Sequence, residues 1–128
     1  MAEAILNNLS EGKHKASSVG TYVIRGDDTT REGQKLKDHP DMNVIAAMHE
    51  IGIDISENQR TQLTPEILEK ADKAVVMAQP EFVPEYLSRS QKTIFWKVED
   101  PYEKSLAFTR NVRDQIKNLV KDLLISLG

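Results

Sequence analysis

Thr93-Ile94-Phe95-Trp96-Lys97-Val98-Glu99-Asp100-Pro101-Tyr102 reads as a short buried strand that runs straight into an acid fixed by a proline. The β-branched and aromatic residues Thr93, Ile94, Phe95, Trp96 and Val98 suit a pleated, largely buried surface. Pro101 has no N–H to give a ladder, so pairing is expected to end there. A residue before proline avoids the α region, which leaves Asp100 extended. In open α/β sheets ligands sit at the carboxyl ends of strands, so an acid delivered there is a candidate proton donor. Asp-Pro is also a common turn dipeptide. From these residues alone the turn is the preferred reading.

The 128 residues fit one domain, large enough to bury a core without disulfides or metals. A net charge of -3 and a pI near 5.6 argue against nucleic acid or an anionic membrane as the main partner. There is no cysteine, so disulfides, thiolate metal sites and a cysteine nucleophile are all excluded within this sequence. No apolar run is long enough to span a bilayer, and the first residues lack the order of a signal peptide. Cytoplasmic location is the resulting expectation. His14, His39 and His49 show no metal-ligand spacing, and no cofactor is implied.

Moving outward from the opening stretch, apolar positions Ala2, Ile5, Leu6 and Leu9 predict a first helix with Gly12 as its stop. No strand precedes it, and it opens without a side-chain cap. Ala16 to Val23 reads as a strand with a tight end at Gly20, followed by a polar loop from Arg25 to Asp38. His39-Pro40-Asp41 starts a helix that runs through Val44, Ile45, Ala47 and Met48 to Ile51, with Gly52 beyond it. Thr64 and Pro65 give the next helix its N-cap and first position. Ala74 to Ala78 is a continuous apolar run, the pattern of a strand buried on both faces. Glu81 to Ser88 reads as a short helix with Phe82 and Leu87 for packing. The longest helix spans Ser105 to Leu127, with Phe108, Val112, Ile116, Leu119, Leu123 and Leu127 on its apolar face. Its Arg110, Arg113, Lys117 and Lys121 read as the wet face. Strands alternating with helices predict an α/β fold of three layers, a parallel sheet flanked by helices.

Five blocks of the sequence, in order, resemble the superfamily of low-molecular-weight protein tyrosine phosphatases and thioredoxin-coupled arsenate reductases. They are Met1-Ala2-Glu3-Ala4-Ile5-Leu6; Ser18-Val19-Gly20-Thr21; Gly52-Ile53-Asp54-Ile55-Ser56 with Gln62-Leu63-Thr64; Ala71-Asp72-Lys73-Ala74-Val75-Val76-Met77; and Glu99-Asp100-Pro101-Tyr102. The resemblance implies a phosphotyrosine phosphatase I-like fold. It also implies a catalytic loop of Cys, five residues, then Arg, following a central strand and lying just before the Met-Ala-Glu helix. That thiolate attacks phosphorus while backbone N–H groups and the arginine hold the oxyanion. Neither the strand nor the loop occurs in this sequence, and no cysteine elsewhere replaces the nucleophile.

On this resemblance Asp100 is the general acid, latent here, that protonates the leaving oxygen and later activates water. Tyr102, Tyr22 and Arg25 flank the substrate cleft, though each also suits an ordinary surface position. Ser18 and Asn58 support the phosphate loop; Asn58 stands where the phosphatases often carry histidine. Without the loop, Ser18 and Asn58 are expected to be solvent-facing. Glu103-Lys104 replaces the second Tyr-Gly frequent in the phosphatases, which weakens a phosphotyrosine-binding wall. The partner implied for a complete relative is a phosphorylated protein or small phosphate ester.

Phosphatase parentage is preferred to arsenate reductase because the reductases relay a disulfide through further downstream cysteines, and none is present. A non-catalytic binding module on the same scaffold is the competing class. Either Met1 is an internal methionine of a longer active protein, or the chain is a shortened relative with another role. The first is preferred because every other block, Asp100 included, is preserved. Absence of the central first strand leaves a three-stranded parallel remnant with open edges, which favours a homodimer. The in-frame codons upstream of Met1 distinguish the two accounts: a strand pattern with Cys and Arg supports the first, and an immediate stop rejects it.

Overall fold

The computed structural model describes residues 1–21, 32–35, 43–101 and 104–127. The chain divides into two compact units, one of Met1–Ser18, Lys35–Asn58 and Val98–Gly128, the other of Val19–Gln34 and Gln59–Lys97.

The first unit is helical. It contains α1 (Ala2–Ser10), α2 (Asn43–His49) and α5 (Leu106–Leu127), with α5 packed against both of the others. The apolar periodicity of the sequence explains this: Ile5 and Leu6 of α1, Ala47 and Met48 of α2, and Val112, Ile116 and Val120 of α5 are buried. Thr109 is fully buried on the same helix, and its hydroxyl donates to the Ser105 carbonyl at 3.0 Å, so no polar group is stranded. Ser105 caps the helix by accepting the Phe108 N–H at 3.1 Å. At the other end of the unit, Glu11 (φ 51°) and then Gly12 (φ 89°) take left-handed conformations just beyond α1, which ends the helix as the glycine predicts.

The second unit holds α3 (Pro65–Lys70), β1 (Ala74–Val76), a 3-10 turn (Pro80–Phe82), α4 (Glu85–Ser88) and β2 (Thr93–Phe95). Thr64 caps α3 by accepting the Ile67 N–H, and Pro65 opens it. The strands pair in parallel, with Ala74 opposite Thr93 and Val76 opposite Phe95. Val76 points into a core with Leu63, Leu68 and Leu87, against which Val19, Ile67, Ala74 and Val83 pack.

Several expectations need correction. Among the described residues of Ala16 to Val23, only Gly20 pairs, in a parallel bridge to Gln62. At Ala16 the cause is local competition. The Asn7 side chain takes both backbone groups of Ala16, at 2.8 and 3.0 Å, and so substitutes for a neighbouring strand. The sheet therefore has two strands rather than three among the described residues. The Ala74 run is strand only to Val76, and Met77 and Ala78 are exposed. Phe95 is 59% exposed, and the strand of the opening stretch is half-buried instead of buried. The Glu81 to Ser88 helix is split, because Pro84 has no N–H to continue it, and Phe82 lies exposed while Leu87 is buried. The helix start at His39-Pro40-Asp41 falls outside the described residues.

Truncating Leu87 to Ala should cost about 2–5 kcal/mol, as expected for a core leucine. Phe95→Ala should cost roughly half a kcal/mol or less, as at other surface positions. Urea unfolding of both variants checks the contrast; equal losses would mean that the burial pattern of the sheet is wrong.

Candidate functional site

Asp100 follows the carboxyl end of β2 by five residues, outside any helix or strand and before half-buried Pro101. Asp100 and Glu99 are both exposed, so this short segment presents two carboxylates to solvent. Extended backbone before proline is what the residue pair dictates.

Ser18 is exposed, and its hydroxyl donates to the Glu3 carboxylate at 2.5 Å. Glu3 lies in the first turn of α1, where a carboxylate meets the unpaired N–H groups and the positive end of the helix dipole. The Met1 α-amino group is there too. Burial holds it below its usual range against the opposing pull of Glu3. This end of α1 is thus already matched to an anion of its own.

Asn58 sits in a turn anchored by Ile55, which is 1% exposed. Asp54 accepts the Ser56 N–H at 2.9 Å, closing an Asx turn, and the Asn58 N–H donates to the Ile55 carbonyl at 3.1 Å. The Ser56 backbone N–H is the first cause holding the Asp54 carboxyl below its usual range. The Asn58 side chain is exposed. Tyr22, Arg25 and Tyr102 lie outside the described residues. Among the described residues no cluster of His, Asp and Glu has the makings of a metal site.

A feature the sequence reading missed joins α2 to α5. Arg113 was read as wet face, yet its side chain is only 11% exposed. It donates to the Ala47 carbonyl at 2.8 Å and pairs with Glu50 at 2.8 Å and Asp114 at 2.9 Å. Arg110 makes a forked contact with the same Glu50. Arg110 and Arg113 share a helix face by their spacing, and Glu50 just past a helix end was the available signal.

The fold and these positions can be set beside known proteins. No family model matches the sequence. The low-molecular-weight protein tyrosine phosphatase of T. tengcongensis superposes with a TM-score of 0.78 at 24% identity, covering 98% of this chain and 88% of that one. An arsenate reductase in its intermediate state superposes with a TM-score of 0.71 at 28% identity, covering 99% of this chain and 87% of that one. The chain thus has the fold shared by low-molecular-weight phosphatases and arsenate reductases. In sequence, the arsenate reductase of Halalkalibacterium halodurans is 34% identical over 87 residues, 62% of this chain and 62% of that reductase. The matched part is thus about three-fifths of that relative's length. This superfamily scaffold carries no cysteine anywhere in its 128 residues.

Glu50 gives a pH test. The hydrogen bond from Arg110 holds its carboxyl below the usual range; burial opposes this, and the hydrogen bond from Arg113 adds a smaller pull downward. A depressed folded value means that the contribution is present above the unfolded carboxylate range, about 4.3, and is lost as pH falls through the folded value. Glu50→Gln should therefore be less stable than the parent at neutral pH, with the difference closing in acid. Thermal melts across that range check this; a gap that stays constant to low pH would refute it.

Proposed function

We propose that these 128 residues form one phosphatase-like domain, cytoplasmic, that is catalytically silent toward phosphate monoesters. The observation that carries this is the cysteine count of zero on a chain that matches the fold over 98% of its length. In the superfamily's chemistry a thiolate makes the first bond to phosphorus, and no other side chain here resembles a replacement. Losing a member of such a unit typically lowers turnover by about a millionfold.

Within this reading Asp100 is the retained general acid, and Ser18 and Asn58 are the loop-supporting pair. Tyr102, Tyr22 and Arg25 are the residues assigned to the substrate side. The ligand class is a phosphate ester, on a protein or a small molecule, with no cofactor, nucleic acid or membrane partner. A non-catalytic binding role on this scaffold follows from the same absence. Self-association through the open sheet edge belongs to the proposal as well, and a strictly monomeric species in sedimentation at high concentration would remove it.

An arsenate reductase-like reading has one observation in its favour: the 34% identical relative is a reductase. The relay cysteines that such an enzyme needs beyond its first thiol are also absent from this chain, which supports the phosphatase-like reading.

The test is turnover of p-nitrophenyl phosphate and of arsenate with a thiol reductant. The expected result is no rate above that of the Asp100→Ala variant for either. A rate that Asp100→Ala abolishes would overturn the silent reading, and a rate on arsenate alone would move the assignment to the reductases.

A further inference from the structure

Asp100 stands on a stretch with no regular structure of its own, and its side chain is exposed. A proton donor works only within hydrogen-bond reach of the oxygen it serves, so a carboxylate on irregular chain needs its backbone held by something else. The residues that follow it supply that hold. Half-buried Pro101 keeps Asp100 out of the α region. The Lys104 N–H donates to the Pro101 carbonyl at 3.0 Å, so the tie reaches the residue next to Asp100. Lys104 is fixed at two further points. Its carbonyl accepts from the Asn43 side-chain amide at 2.9 Å. Its ammonium stands 5.9 Å from the centroid of the Phe108 ring, within cation–π range. Asn43 is the first residue of α2, and Ser105, which caps α5, comes directly after Lys104. One amide thus joins the starts of two helices and anchors the chain that leaves Asp100. On the sheet side, the bond from the Trp96 N–H to the Val76 carbonyl lies four residues before Asp100.

We propose that Asn43 is the positioning residue of the acid segment, acting through Lys104 and Pro101 on Asp100. The proposal rests on the assignment of Asp100 as the retained acid and adds the group that sets its place. The chemistry of the contact is specific. The Lys104 carbonyl needs a donor, and the Asn side chain supplies one without a charge. An aspartate at the same position has nearly the same shape but, when ionised, only accepts. It would also put a carboxylate in the first turn of α2, where the helix dipole favours it. Asn43→Asp therefore removes the tie while sparing the helix start. Asn43→Ala removes the same donor without adding charge, which separates loss of the bond from repulsion.

The chain has no cysteine, so one introduced thiol can be labelled alone. Glu99→Cys carrying a nitroxide reports the motion of the acid segment and leaves Asp100 in place; Asp122→Cys on exposed α5 is the reference. In Asn43→Asp and in Asn43→Ala the label at position 99 should tumble several-fold faster. The Lys104 amide should exchange with solvent several-fold faster as well. The label at position 122 and the melting curve should stay as in the parent. A label at position 99 that neither variant moves overturns the proposal. Labels at 99 and 122 that loosen together also overturn it, because Asn43 would then hold the helical unit and not the acid. The two readings fail separately: turnover of p-nitrophenyl phosphate would overturn the silence and leave the tie standing, and an unmoved label would do the reverse.

Discussion

A parallel ladder three residues long does not hold itself together in water. Two strands are marginal even when antiparallel, and parallel pairing is weaker per residue. The β1–β2 pair therefore exists because one of its faces is buried. Val76 supplies the contact, packed among Leu63, Leu68 and Leu87. Side chains then tie the connecting segments to that core. The Thr93 hydroxyl donates to the Leu87 carbonyl at 2.7 Å, which fixes the start of β2 to the end of α4. The Lys92 ammonium reaches the Leu68 and Glu69 carbonyls, capping the C-terminal turn of α3 where a cation is favoured. Remove the apolar face and each of these polar ties loses its geometry.

The helical unit solves a different problem. Its long helix α5 must bury a stripe against two shorter helices, neither of which is long enough to be stable alone. Burial of Ile5, Met48 and Val120 provides the drive. The arginine pair provides registry. Arg113 loses most of its water, and a guanidinium in that position must be fully paired to be tolerated. Its donors go to the Ala47 carbonyl, Glu50 and Asp114, so the cation also satisfies a carbonyl near the end of α2. Surface pairs elsewhere, such as Arg89 with Glu85, are exposed and contribute little.

What was legible in the sequence follows this division. Long helices announced themselves through several turns of repeated spacing: α1 and α5 lie within a residue or two of their expected bounds, and α3 begins at its expected first position, Pro65. Caps with a chemical signature, Thr64 with Pro65 and the left-handed stop at Gly12, were readable because a single residue type decides them. Strands were harder. A run such as Thr93 to Val98 carries composition but too few residues to show which are covered, and Phe95 proved exposed. The backbone groups of Ala16 go to a helix side chain, Asn7, far enough away in sequence that no local pattern could reveal it. At the candidate site, the exposure of Ser18 and Asn58 agreed with expectation, whereas the Ser18 bond to Glu3 depends on packing that no motif encodes.

The chemistry turns on what an isolated proton donor is worth. General acid catalysis contributes about 10²–10⁴-fold when a nucleophile is already committed to the reacting centre. It lowers the barrier to departure of a leaving group and does nothing to bring an attacking atom to phosphorus. Glu99 and Asp100 are adjacent exposed carboxylates, and the positive end of α1 is already occupied by Glu3, whose carboxylate accepts from Ser18. At the N-terminal end of α1 a dianion would meet the Glu3 carboxylate as well as the helix dipole. On the proposed assignment, Asp100 is the component whose value is conditional on the rest. On that assignment the acid has, within these residues, no thiolate to assist.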